Sequence, residues 1–138
     1  MRKLGLDIGD KRIGVALSDP GGILASPFTI IDCKDEKQDI ETIINIVNQH
    51  EVEQIIVGLP RSLDGSIGRQ AQKVEAFVQK LRSQTEIPLE FRDERLTTVS
   101  ARRLMREAST KKSKRKVRDD AVAAALILQG YLDETKSN

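Results

Sequence analysis

Aromatic residues and cysteine are scarce in this sequence of 138 residues. It contains no Trp, one Tyr, three Phe, one Cys and one His. Because proteins that hold single-stranded nucleic acid stack its bases on aromatic side chains, the composition disfavours base-stacking recognition. The single cysteine, Cys33, excludes an intramolecular disulfide and fits a reducing compartment, and there is no partner set for a zinc site. The lone histidine, His50, is expected at the surface near a helix end, and no serine or cysteine triad can be built.

Long apolar runs are also absent. No segment approaches the roughly 20 apolar residues of a membrane-spanning helix, and residues 1–5 lead into a strand-like segment without a signal-peptide core. Hydrophobic residues make up 38% and charged residues 32% of the chain, an ordinary balance for a soluble protein. The length is typical of one domain. We therefore expect a single cytoplasmic domain over residues 1–138.

Charge is nearly balanced overall, at +2, but it is unevenly distributed. Each phosphate that a cation contacts releases counterions, so a dense basic block suits a polyanion. A solvated loop without a ligand is the alternative. We expect residues 109–118 to form a mobile basic loop that becomes ordered on nucleic acid, and residues 134–138 to form a tail. The basic residues are Lys111, Lys112, Lys114, Arg115, Lys116 and Arg118, preceded by Arg102, Arg103 and Arg106.

Hydrophobic periodicity predicts the order βββ-α-β-α-β-α-α. The strands are expected over residues 4–9, 13–18, 23–31, 53–58 and 87–92, with Pro27 indicating an edge position. The helices are expected over residues 39–49, 70–82, 99–106 and 119–132. This order predicts an α/β fold with a mixed five-stranded sheet, a three-stranded antiparallel meander plus two parallel strands, flanked by helices.

Sheets of this kind place functional residues at the carboxyl ends of their parallel strands. Asp7 lies there, between Leu6 and Ile8 in an apolar strand. A carboxylate in such surroundings is costly to desolvate unless it is paired or binds a cation. The alternative is a turn-side acid that accepts hydrogen bonds from backbone N–H groups.

Two further acidic pairs lie where a site is expected. Asp93 and Glu94 follow the last predicted strand, and the spacing does not choose between them. Asp119 and Asp120 open the final helix, where acids also complement the helix dipole. The alanines that follow allow this helix to pack closely on the sheet, which would bring its first turn toward Asp7.

Three acids from distant segments suggest a site for a hard divalent cation. Mg²⁺ and Mn²⁺ take oxygen ligands of this kind, and two such ions can activate a water and stabilise the leaving oxygen in phosphodiester cleavage. Lys11 and Arg12 at the first hairpin tip, and Arg61 in the glycine-rich segment 58–68, are candidate phosphate contacts. Ordinary turn and loop residues are the alternative for these positions.

Four segments together resemble the YqgF/RuvX family, bacterial Holliday-junction-resolvase-like proteins that are also named as pre-16S rRNA nucleases. They are LGLDIGDKRIGVALSD, GLPRSLDG, DERLTT and DDAVAAALILQGYLD, in the family's order over nearly the whole chain. The resemblance implies a ribonuclease H-like fold and a metal-dependent nuclease using Mg²⁺ or Mn²⁺. Its acidic triad would fall on Asp7, Glu94 and Asp120. Asp120 is preferred to Asp119 because the family's acid lies at a fixed distance before LILQGYL.

The resemblance also implies cytoplasmic maturation of the 5′ end of 16S rRNA, with ribosome assembly intermediates as partners. Cleavage of a DNA Holliday junction is the alternative substrate class, and monomer or homodimer stays open. A non-catalytic rRNA-binding factor is a second alternative. A kinase or ATPase of the actin type begins with a similar hairpin but needs two such domains. The expected nucleic-acid contacts are Lys11, Arg12, Arg61, Arg95, Lys111, Lys112, Lys114, Arg115 and Lys116.

Overall fold

The structure of the protein, a computed structural model, describes residues 2–60, 68–93 and 113–136, and the side chains in these ranges except those of residues 113–120 and 136. The described ranges contain five strands and three helices. None of these helices is long and apolar enough to cross a membrane. The elements are β1 (Arg2–Ile8), β2 (Arg12–Ser18), β3 (Ala25–Asp32), α1 (Glu36–Gln49), β4 (Val52–Leu59), α2 (Arg69–Arg82), β5 (Leu89–Asp93) and α3 (Ser113–Lys136).

The strands form one mixed sheet in the order β3-β2-β1-β4-β5. Strands β1, β2 and β3 pair antiparallel as a meander, while β4 pairs parallel with β1 and β5 pairs parallel with β4. The predicted mixed five-stranded sheet is therefore confirmed. Pro27, which has no N–H to donate, lies in the edge strand β3 as expected.

Alternation along β1 directs its side chains to two different layers. Leu4, Leu6 and Ile8 join the apolar cluster that α1 and α2 cover. On the other face, Ala16 and Ile56 belong to a second cluster with Ala124 and Leu128 of α3. Ala16 and Ile56 both pair with Gly5 of β1. Gly5 therefore lies under α3. Asp7, two residues further along β1, is on this same face.

Helix α3 runs antiparallel to β1. The hydroxyl of Tyr131 donates to Oε1 of Gln54 over 3.3 Å, near the beginning of β4. Nearer the amino end of α3, Ala124 and Leu128 contact Gly5 in the middle of β1. Since a helix rises about 1.5 Å per residue and a strand about 3.3 Å, the turn before Ala124 extends toward the end of β1.

Helices α1 and α3 extend beyond their predicted bounds, and α2 begins one residue early, at Arg69. Helix α1 begins at Glu36 because Asp35 caps it, its side chain accepting from the N–H of Gln38. Helix α3 begins at Ser113 and ends at Lys136, so the expected helix-poor loop over residues 109–118 is wrong from Ser113 onward, and the expected tail starts too early. Lysine and arginine are nearly as good helix formers as leucine, and neither Gly nor Pro interrupts residues 113–118. Residues 109–112 and the predicted helix over 99–106 lie outside the described residues.

Candidate active site at the carboxyl end of strand β1

Asp7 is the penultimate residue of β1 and is partly buried. Its direct partner on β2 is Gly14. Leu6 pairs with Val57 on β4, so the register continued by one residue brings Gly58 beside Asp7. Glycine has no side chain, so neither position 14 nor position 58 places a side chain beside the Asp7 carboxylate on its face of the sheet. The sequence thus leaves space around this acid on the face covered by α3.

Strand β5 ends at the same edge of the sheet as β1 and β4. Arg92 pairs with Gly58, and Asp93, the last residue of the strand, pairs with Leu59. Because Leu59 belongs to the cluster under α1 and α2, Asp93 lies on the face opposite Asp7. Glu94 follows Asp93 directly in the sequence and lies outside the described residues.

The tip of the β1–β2 hairpin lies at this end of the sheet. The N–H of Gly9 donates to the carbonyl of Arg12 over 2.9 Å, and a Cβ on Gly9 would lie 2.9 Å from that oxygen, so the tight approach requires glycine. The Lys11 side chain is exposed. Nε of Arg12 is 3.7 Å from Oδ1 of Asp32, a long pair between exposed groups. Both predicted phosphate contacts therefore lie at the end of the sheet that carries Asp7.

Helix α2 contributes two polar residues that sequence reasoning missed. Nε2 of Gln70 is 3.4 Å from the carbonyl oxygen of Ile8, and Nζ of Lys73 is 3.3 Å from Oδ1 of Asp10. These contacts hold the amino end of α2 beside the end of β1. They join residues more than 60 positions apart, and no local pattern in the sequence indicates them.

A cavity of about 500 Å³ adjoins the hairpin on the side of α1 and α2. Its lining includes Gly9, Cys33, Asp39, Gln70 and Lys73, but Asp7 is not among the lining residues. Burial raises the pKa of the Cys33 thiol, and nearby Asp39 adds to this effect. A thiol held in its neutral form is a poor nucleophile. Because residues of α1 and α2 line the cavity, it lies on the opposite face of the sheet from the Asp7 carboxylate.

Arg92, the next-to-last residue of β5, is a buried cation. It is 9% exposed, and its Nη1 lies 2.6 Å from Oε1 of Glu134 on α3. The sequence placed this arginine at the end of the predicted strand over residues 87–92 but did not connect it with α3. The one available signal was Gly130, the only glycine in α3.

Several predicted site residues lie partly or wholly beyond the described part of the chain. Within the side chains that are described, no group of three or more His, Cys, Asp or Glu could hold a metal ion. Asp120 lies in α3, but its side chain is outside that range, as are those of Lys114, Arg115 and Lys116. The predicted contacts that lie outside the described residues altogether are Arg61, Glu94, Arg95, Lys111 and Lys112.

The sheet order β3-β2-β1-β4-β5, with helices on both faces, defines the class of ribonuclease H-like folds. RuvC from T. thermophilus, in complex with a Holliday junction substrate, superposes with a TM-score of 0.66 at 10% identity, covering 100% of this chain and 97% of RuvC. The Fowlpox virus resolvase, in complex with substrate Holliday junction DNA, gives 0.59 at 12% identity, with 98% and 99% covered. At such identities the likeness shows the fold alone.

The chain belongs to the family described as "RuvX: Holliday junction resolvase", which matches residues 1–134. A relative from Clostridium novyi is 48% identical over 133 residues, covering 96% of this chain and 98% of the relative. A relative from Thermoanaerobacter pseudethanolicus is 49% identical over 138 residues, with 99% of each covered. Both relatives carry the name "Putative pre-16S rRNA nuclease".

Proposed function

We propose that the protein is a cytoplasmic, divalent-metal-dependent nuclease that hydrolyses phosphodiester bonds in precursor 16S rRNA. Its carboxylates are Asp7, Glu94 and Asp120. The observation that carries the proposal is the position of Asp7. It lies near the end of β1, on the face that α3 covers, and it pairs with Gly14 on β2. The register of β1 on β4, continued by one residue, places Gly58 on its other side.

The backbone of α3 favours Asp120 over Asp119 as the helix acid. Position 120 is four residues before Ala124 and seven before Ile127, which are both buried. At 100° per residue these three positions share one stripe of the helix. Position 119 shares a stripe with Asp133, which is exposed. An acid at position 120 therefore suits a site on the sheet. Position 119 lies on the exposed stripe, and because α3 begins at Ser113 it is not in the first turn, where an acid would complement the helix dipole.

Strand alternation favours Glu94 over Asp93. Asp93 shares the sheet face of Leu59, opposite Asp7. Asp93 therefore does not share a face with Asp7. This supports Glu94, the acid that the family resemblance implies.

Three carboxylates fit a hard cation such as Mg²⁺ or Mn²⁺, which prefers oxygen ligands. When bound, the cation supplies Lewis-acid activation of water and neutralises charge that develops on the phosphate. The protein's own part is to hold the carboxylates together and to leave space at Gly14 and Gly58 for the substrate backbone. Lys11 and Arg12 are suited to contact flanking phosphates from the exposed hairpin tip.

The remaining basic residues extend this surface in the proposal. Arg61, Arg95 and the cluster of Lys111, Lys112, Lys114, Arg115 and Lys116 bind phosphates, and recognition is by shape and backbone rather than by base stacking. Precursor rRNA is preferred as the substrate because relatives 48–49% identical over nearly the full length carry that name. A four-way DNA junction is the second candidate because the family is described as a Holliday junction resolvase.

The test offers precursor 16S rRNA and a four-way DNA junction to one preparation with Mg²⁺, and measures cleavage and binding separately. We expect the wild type to cut the rRNA, and Asp7→Asn to bind it without cutting. Asp10→Asn is the matched control, because Asp10 lies on the same hairpin but is exposed and pairs with Lys73; it should cut normally. Undiminished cleavage by Asp7→Asn would contradict the proposed site. Binding without cleavage by the wild type would instead favour a non-catalytic rRNA-binding factor.

A further inference from the structure

Helix α3 approaches the sheet most closely at two glycines. A Cβ built on Gly5 of β1 would lie 2.8 Å from both the carbonyl oxygen of Ala124 and Cβ of Leu128. A Cβ built on Gly130 of α3 would lie 2.6 Å from Nη2 of Arg92 and 2.9 Å from its Cζ. Real Cβ atoms do not come this close to other heavy atoms, so a side chain at Gly5 would require α3 itself to shift, and a side chain at Gly130 would require the Arg92 guanidinium to move.

These two contacts fix α3 against particular strands. Gly5 precedes Asp7 by two residues on β1, and Arg92 precedes Glu94 by two residues in the sequence. Gly5 and Arg92 both face α3. The helix that carries Asp120 is thus held against β1, which carries Asp7, and against β5, which precedes Glu94 in the sequence.

The contact at Gly130 is not the arrangement that stability alone would select. Glycine in a helix interior is less favourable than alanine, and a buried guanidinium is costly unless it is well paired. Arg92 is 9% exposed and pairs with Glu134 through Nη1. Its buried Nε has no hydrogen-bond partner among the described residues. Two locally unfavourable features therefore coincide at one point of contact between α3 and β5.

We propose that Arg92 and Gly130 are positioning residues that set the register of α3 on the sheet. The Arg92 guanidinium occupies the space that Gly130 leaves by having no side chain, and it pairs with Glu134. A translation or rotation of α3 on the sheet would break both contacts. The register in turn fixes the distance between the first turns of α3 and Asp7. This inference rests on the proposed function, because it assigns the register a role in assembling the carboxylate site.

The test measures Mn²⁺ binding by calorimetry without nucleic acid, at a temperature where every variant is folded by circular dichroism. We expect Gly130→Ala to bind Mn²⁺ about tenfold more weakly than the wild type, as when a group that orients a metal ligand is lost. Arg92→Leu should weaken binding similarly. Adding Gly130→Ala to Arg92→Leu should cause no further loss, because the new methyl group then meets no guanidinium. Thr135→Ala, exposed on the same helix, is the control and should bind like the wild type.

Glu134→Ala tests the same contact with less risk to folding. Glu134 is exposed and pairs with Arg92, and its truncation adds no volume between α3 and the sheet. It should also weaken Mn²⁺ binding. The positioning role would be overturned if Glu134→Ala, together with folded Arg92→Leu or folded Gly130→Ala, bound Mn²⁺ as tightly as the wild type. The proposed nuclease function would not be affected by that result. Absence of Mn²⁺ binding by the wild type would overturn the proposed metal site and, with it, this inference.

Discussion

Gly5 and Leu128 are in contact with no room for a side chain on the strand residue. A Cβ on Gly5 would lie 2.8 Å from Cβ of Leu128, and equally close to the carbonyl oxygen of Ala124. Backbone and Cβ atoms of a helix cannot move aside independently of the helix. The spacing between α3 and β1, and so between α3 and Asp7, therefore depends on Gly5 having no side chain.

Gly5→Ala should destabilise the protein by about 1–3 kcal/mol, the usual cost of forcing an extra methyl group into a packed interior. Urea denaturation at pH 7 measures this free energy of unfolding. Gly21→Ala is a suitable control, because its Cβ would meet only ends of side chains, the Asp19 carboxylate at 3.2 Å and Ile23 carbons at 3.9 Å. A loss no larger than that of the control would show that α3 is not tightly packed on β1.

Asp19 stabilises the connection between β2 and β3. Its Oδ1 accepts hydrogen bonds from the N–H groups of Ile23 and Leu24 at 2.6 and 2.8 Å. The hydrogen bond from Leu24, followed by that from Ile23, lowers the pKa of this carboxyl below its ordinary value. Because the folded state favours the ionised form, the stabilisation is present above the pKa of the unfolded chain and is lost as the pH falls through the folded-state pKa.

Asp19→Ala should therefore lower the melting temperature at pH 7. The difference from the wild type should shrink as the pH falls below about 4, where the carboxyl of the unfolded chain becomes protonated, and should vanish below the lower pKa of the folded state. Thermal unfolding followed by circular dichroism from pH 7 to pH 2 provides the measurement. Asp32→Ala, which removes an exposed carboxylate with a 3.7 Å ion pair, should show a much smaller effect at pH 7. A pH-independent difference for Asp19→Ala would rule out this role of the charge.

The adjacent acids of α3 should behave differently. Asp120→Asn should reduce Mg²⁺-dependent cleavage by at least about a hundredfold, since loss of a charged ligand disturbs both the cation and its position. Asp119→Asn should retain cleavage within about threefold, because position 119 shares a stripe of α3 with the exposed Asp133. Single-turnover cleavage of precursor rRNA compares the two variants. The reverse order of effects would place the helix acid at position 119.

The basic segment should determine much of the salt dependence of binding. Replacing Lys112, Lys114, Arg115 and Lys116 by Gln should flatten the slope of log affinity against log salt by up to about 3, since each lost phosphate contact contributes about 0.7–0.9. Binding of uncut rRNA by Asp7→Asn, measured between 50 and 300 mM salt, gives the slope. Arg2→Gln, at the opposite end of β1 from Asp7, is the control. An unchanged slope would remove this segment from the interface.

Local sequence patterns were sufficient for most of the fold. Within the predicted helix over residues 70–82, the apolar residues at helical spacing are all buried, because helical periodicity directly reports an apolar face; they are Val74, Phe77, Val78 and Leu81. The start of α3 was misplaced because a basic run resembles a loop in composition although lysine and arginine favour helix. Contacts across the fold were not predictable: Gln129 binds the N–H of Ala25 at 2.8 Å, 104 residues away.

The candidate site was predictable in part. Asp7 stood out because an acid within an apolar strand is unusual. Spacing alone could not choose between Asp93 and Glu94. The observed pairing of Asp93 with Leu59 supplies the strand parity that the sequence lacked. Arg92 was overlooked as a positioning residue because its partner Gly130 lies on a distant helix, and one glycine in a helix does not indicate what it contacts.

The most direct test of the central claim is a crystal structure of the protein soaked in MnCl₂, read from its anomalous difference map. We predict a peak about 2.1 Å from carboxylate oxygens of Asp7, Glu94 and Asp120. A map with no peak near Asp7, or with the carboxylates of Glu94 and Asp120 directed away from a peak there, would contradict the account.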